Sequence, residues 1–177
     1  MRDETEDADT ARLPWAAWVR MLPDTARAAV SEADLTAPYI FISLSAVATE
    51  LPAARASLRR WSQAIQLYVQ QTEDVVLAVD EAVANAVEHA YADENPGAVT
   101  VFAGYVKPGS RVCVVVSDSG RWRPPLADTG VRGRGVSMMK ALTDHFTLHH
   151  NENGTTVLLG WDVPAMQGGT GDGHEPQ

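Results

Sequence analysis

The chain has 177 residues, with 14 Lys and Arg against 23 Asp and Glu, for a formal net charge of −9. That length fits one domain, and a chain of roughly 150 residues buries about two thirds of its unfolded surface without covalent staples. The acidic balance argues against a non-specific nucleic-acid binder, which needs a basic surface to neutralise phosphates, but leaves open a phosphate held by backbone amides. Cys113 is the single cysteine, so an intrachain disulfide and a cysteine zinc cluster are excluded, and a reducing compartment is the simpler reading. No apolar run approaches the roughly 18 residues of a membrane span, and the acidic start MRDETEDADTAR is opposite in character to a signal peptide. A soluble, cytoplasmic protein is expected.

Residues 1–12 hold Asp3, Glu4, Glu6, Asp7 and Asp9 with no apolar period, so a disordered start is expected. Trp15, Trp18 and Leu22 give a weak helical pattern over 14–33, broken at Pro23. Residues 39–47 alternate and are β-branched, predicting a strand; 50–71 place Leu58, Trp61 and Ile65 at helical spacing. Thr72 reads as an N-cap, with Glu73 and Asp74 in the first turn of a helix running to about Ala90. Strands at 98–106 and 111–117 flank the turn Lys107-Pro108-Gly109-Ser110. A Gly-rich loop leads to a helix at 135–143, and strands at 146–150 and 155–161 flank Asn151-Glu152-Asn153-Gly154. The Gly-rich stretch from Gln167 reads as loose. Helices followed by mostly antiparallel strands predict an α+β class, a mixed sheet with helices on a single face.

On a helical wheel, Val76, Val79, Val83, Ala86, Val87 and Ala90 form a core face opposite Asp74, Glu81, Asn85 and Glu88. Such a stripe is ordinarily just a solvated face. Glu81 and Asn85, four apart, are nonetheless neighbours; an amide oxygen suits a hard cation while a carboxylate serves as a base. His89 beside them reads as structural. Asp118 and Gly120 end a strand, which is either a simple turn or a carboxylate that accepts from an exocyclic amine with a glycine admitting a flat ring. Gly130, Gly133 and Gly135 run into a helix, whose exposed amides favour phosphate; the spacing is neither a P-loop nor the dinucleotide fingerprint. Arg132 and Arg134 either add charge there or face solvent. Thr155 either completes a polar network around a base or merely has strand propensity. Each signal is weak alone; their order is specific.

The series EAVANAVEHAY (81–91), DSG (118–120), GRGVSMM (133–139) and NGTTV (153–157) resembles the GHKL ATPase superfamily, and within it the anti-sigma-factor serine kinases of bacteria. The resemblance spans about 39–161. It implies the Bergerat fold, a two-layer α/β sandwich with ATP and Mg²⁺ between helix and sheet. It implies Glu81 as catalytic base and Asn85 as Mg²⁺ ligand. Asp118, Gly120, Arg132, Gly133, Arg134, Gly135 and Thr155 would bind nucleotide, with a short lid over about 121–132. On this reading residues 1–38 are an extension, 39–163 the ATP-binding domain and 164–177 a flexible tail. The implied protein phosphorylates a serine on a STAS-domain anti-sigma-factor antagonist, sequesters a sigma factor and forms a homodimer, without direct contact to nucleic acid or membrane.

There are departures. Trp122 stands where the first glycine box usually has its last glycine, and about 38 residues precede the first strand. The extension is either a partner-binding arm or a helix packed on the domain. Three rivals follow: a nucleotide-binding module that sequesters a partner without phosphotransfer, a simple ATPase or histidine-kinase catalytic fragment, and a metalloprotein using His145, His149 and His150.

Overall fold

The computed structural model describes residues 14–90, 97–107, 109–120 and 134–164. In chain order these form α1 (Trp15–Met21), α2 (Asp24–Ser31), β1 (Ile40–Ser45), a short 3-10 turn, α3 (Leu51–Ala64), α4 (Val69–Asn85), a π-turn (Ala86–Ala90), β2 (Ala98–Val106), β3 (Arg111–Asp118), α5 (Arg134–Leu142), β4 (His145–Asn151) and β5 (Gly154–Asp162). The five strands make one sheet in the order β1-β2-β3-β5-β4.

Side chains alternate across a strand, and here both sets are apolar. Val99, Val101, Ala103 and Tyr105 of β2, Val112, Val114 and Val116 of β3, and Val157, Leu159 and Trp161 of β5 point to an inner core with Leu58, Trp61, Val76, Val79, Val83 and Met139 from α3, α4 and α5. Phe102 and Val106 of β2 and Cys113 and Val115 of β3 point the other way, to Trp18, Leu22, Ala26 and Val30 of α1 and α2.

The α+β class and the sandwich of sheet and helices stand. Two particulars are sharper than the sequence indicated. Every strand pairing is antiparallel rather than mixed, and α1 and α2 lay a further helical layer on the face expected to be bare. The part of the extension from Pro14 onward therefore packs on the sheet. Trp15 meets Phe41 edge-on at 4.9 Å between ring centroids, a favoured aromatic geometry, and Trp18 lies 5.1 Å from the same ring.

The helical layer is cut differently from the sequence pattern. Its first long helix ends at Ala64, and α4 begins at Val69, with Tyr68 rather than Thr72 at the N-cap. Between them Gln66 takes φ +59, the left-handed conformation usually left to glycine. The bidentate pair of Arg55 Nε and a terminal guanidinium nitrogen with Asp80, 2.6 and 2.8 Å, ties α3 to α4 one residue before Glu81. Because α4 packs against α3, α5 and the sheet, its buried surface is wide: Val75, Val76, Ala78, Val79, Ala82, Val83 and Ala86 are all inside.

Candidate functional site

The singled-out residues meet at one end of the sandwich, where β3 finishes and β5 starts. Asp118 shares the inner face of β3 with Val112, Val114 and Val116, and so points toward the helical layer. It sits in register between Val99 of β2 and Thr155 of β5. Its Oδ1 accepts the Gly120 backbone N–H at 2.9 Å, which turns the chain out of the strand. Burial pushes the Asp118 carboxyl above the ordinary aspartate range, and the backbone N–H groups of Gly120 and Thr155 offset part of that. A desolvated carboxylate has several lone pairs and can accept from further donors besides these two main-chain groups.

Glu81 and Asn85 lie on the C-terminal half of α4 and are half-buried, unlike the exposed Glu88. The Glu81 carboxylate rests on the α-carbon of Gly135, in the volume a side chain would take there. Gly135 is the second residue of α5, so the acid of one helix touches the first turn of another. A π-turn then follows Asn85 over Ala86–Ala90, a helix irregularity common at functional sites. It brings the Ala90 carbonyl against Gly120. The reason for glycine at 120 thus differs from the sequence argument: the space a β-carbon would need is taken by Ala90 of this same chain, not left for a flat ring.

Gly154 is a residue that the sequence reading passed over in favour of Thr155. Its φ is +136, and a β-carbon on it would collide with the Asp118 carbonyl. The Asn153-Gly154 pair at the head of a strand was the available signal. Arg132, Gly133, the side chains of Arg134 and His89, Trp122 and the lid over 121–132 lie outside the described residues. The three strand histidines do not converge: His145 Nε2 pairs with Asp162 Oδ1 at 3.0 Å, and no group of three or more metal-ligating side chains is found among the described residues.

An inward carboxylate at a strand end, a Glu/Asn pair on the helix facing it and Gly135 in the first turn of α5 thus stand together at one end of an α+β sandwich. The chain belongs to the histidine kinase-like ATPase domain family, whose family model matches residues 44–161. It is 50% identical over 48 residues to the serine-protein kinase RsbW of Bacillus velezensis, a stretch covering 27% of this chain and 29% of that relative. It also resembles the structure of the RsbU and RsbW domains of Rv1364c from Mycobacterium tuberculosis, with TM-score 0.60 and 31% identity over 72% of this chain and 34% of the other.

Proposed function

We propose that the chain is an ATP-dependent protein serine kinase that acts on a STAS-domain anti-sigma-factor antagonist and, in its other state, holds a sigma factor, working as a homodimer. The observation that carries this reading is the contact of Glu81 with Gly135, which sets a general-base candidate against the start of a helix suited to phosphate.

The chain's own groups fit the roles. Asp118, ionised, accepts from the N6 amine of adenine, whereas the O6 acceptor of guanine would face it unfavourably. Thr155, opposite Asp118 in register, offers a hydroxyl at the same end of the sheet. The amides opening α5, with Gly133, Arg132 and Arg134, receive the phosphates. Asn85 supplies a neutral oxygen suited to Mg²⁺, which when bound neutralises phosphate charge. Glu81 accepts the proton of the substrate serine as its Oγ forms a bond to the γ-phosphorus. The bond to the bridging oxygen breaks and ADP is the leaving group.

The test is transfer of labelled phosphate from ATP to such an antagonist. Wild type should label it. Glu81→Gln should keep nucleotide affinity and lose transfer by about 10²-fold or more. Full transfer by Glu81→Gln would remove the base assignment. Tight ATP binding by wild type with no transfer would favour a sequestering module without phosphotransfer.

A further inference from the structure

We propose that Trp18, in the N-terminal helical layer, is a positioning residue for the base-reading carboxylate of Asp118 on the opposite face of the sheet; this rests on the nucleotide reading above. The Trp18 indole N–H donates to Ser117 Oγ at 2.7 Å across 99 residues of chain. Ser117 and Asp118 are consecutive, so their side chains leave β3 on opposite faces. A tie on the outer face therefore controls the rotation of the strand end that aims Asp118 inward.

The acceptor is unusual. Trp61 and Trp161 donate to main-chain carbonyls, of Pro38 and Leu142. Trp18 reaches instead a side chain next to a site residue. Ser117 belongs to a row that crosses all five strands in register, Ser43, Thr100, Ser117, Thr156 and His149. The neighbouring outer row, Phe41, Phe102, Val115 and Leu158, is apolar. Trp18 spans the two, its ring packed with Phe41 and its N–H on the hydroxyl row. The anchor is rigid, since Trp18 is 2% exposed. On the inner side the strand end is held in the sheet between Val99 and Thr155, with the Gly120 N–H closing a local turn on Asp118; the Trp18 bond adds a hold from the outer side. A ligand that draws on Asp118 thus meets a carboxylate braced from behind by a residue, Trp18, that lies outside the 44–161 family match.

The test uses the full chain with Trp18→Phe, which keeps an aromatic ring and removes the donor, and Ser117→Ala, which removes the acceptor. In the ligand-free protein, hydrogen exchange at the Gly120 amide should accelerate in both variants while amides in the middle of β3 stay protected. In titrations, each variant should weaken ATP affinity about threefold to tenfold, the worth of one hydrogen bond. GTP affinity should be unchanged, and the double variant should be no worse than either single one. Unchanged Gly120 exchange in both variants overturns the proposal whatever the nucleotide result. Equal loss for ATP and GTP also overturns it, because that is general loosening rather than aim. If wild type discriminates ATP and Asp118→Asn abolishes it, but neither variant narrows it, the nucleotide reading survives and the positioning role falls. If the exchange effect appears but wild type binds no ATP, the brace is real and its role in reading a base is overturned.

Discussion

Asp118 sets stability against the nucleotide-reading role proposed for it. Burial raises its carboxyl pKa above the ordinary aspartate value, so the folded chain binds that proton more tightly than the unfolded chain does. By linkage, stability falls as pH rises between 3.8 and the higher folded value, and the full cost is present above it. Asp118→Asn removes the charge and keeps an oxygen for the Gly120 N–H. Its melting temperature at neutral pH should exceed that of wild type, and the gap should close on acidification toward the ordinary aspartate range. The same change should abolish ATP binding, as read by calorimetry, because the amide cannot replace a desolvated carboxylate facing the adenine amine. A neutral-pH melting temperature below that of wild type would show that the carboxylate is not penalised in the fold. Cys113 shows burial acting without function. It pushes the thiol up to about 12, so a thiolate-directed alkylating reagent should leave Cys113 unmodified at pH 8 and label it at once in denaturant. Rapid labelling of the native chain would mean that α2 does not seal it.

At the scale of elements, the strands and the site motifs were legible for different reasons. The strands announced themselves by composition and by polar turns such as Lys107–Ser110. The site announced itself through residue types that are costly elsewhere: an acid at a strand end, a Glu/Asn pair at i, i+4, and glycine before a helix. The boundary between α3 and α4 was hidden because Gln66 takes a glycine-like φ, and nothing in Ile65–Tyr68 marks a break. Helical periodicity on either side made Thr72 look like a start. The second helical layer was signalled and missed: the apolar run over 112–116 does not alternate, and such a run marks a strand buried on both faces. The Trp18 to Ser117 bond had no sequence signal, since a contact across 99 residues leaves no periodic trace. Gly154 joins turn to site. Its φ of +136 and its packing on the Asp118 carbonyl forbid a side chain. Gly154→Ala should therefore cost about 1–3 kcal/mol in chemical denaturation, and weaken ATP binding by displacing the end of β3. A variant with native stability and native affinity would show that this turn moves independently of the site.

For the whole molecule, the question is what the N-terminal layer contributes. Apart from Ile40, the buried residues of the inner core lie in the family-matched part of the chain, residues 44–161, which also holds the described candidate site residues. The outer face would present Phe41, Phe102, Cys113, Val115 and Leu158 together if α1 and α2 were gone. A contiguous apolar patch of that kind on a sheet is an association surface. Trp18, Leu22, Ala26 and Val30 cover it, and the segment after α2 is pinned as well. The Asp34 N–H donates to the Tyr105 carbonyl at 2.8 Å, and its carboxylate pairs with Lys107 at 2.9 Å. Trp18→Ala should cost about 3–5 kcal/mol, a large share of a typical net stability of about 5–15 kcal/mol. Deleting residues 1–33 should go further. It leaves the inner core and the site motifs in place but uncovers the outer face, so the shortened chain should self-associate beyond the full-length state. Light scattering coupled to size exclusion reads this directly. Phe41→Ser together with Phe102→Ser in the shortened chain should reverse the association, because the driving surface is then interrupted. If the shortened chain keeps the full-length mass and melting temperature, the sheet face does not depend on its cover, and α1 and α2 are ornaments on an already complete fold.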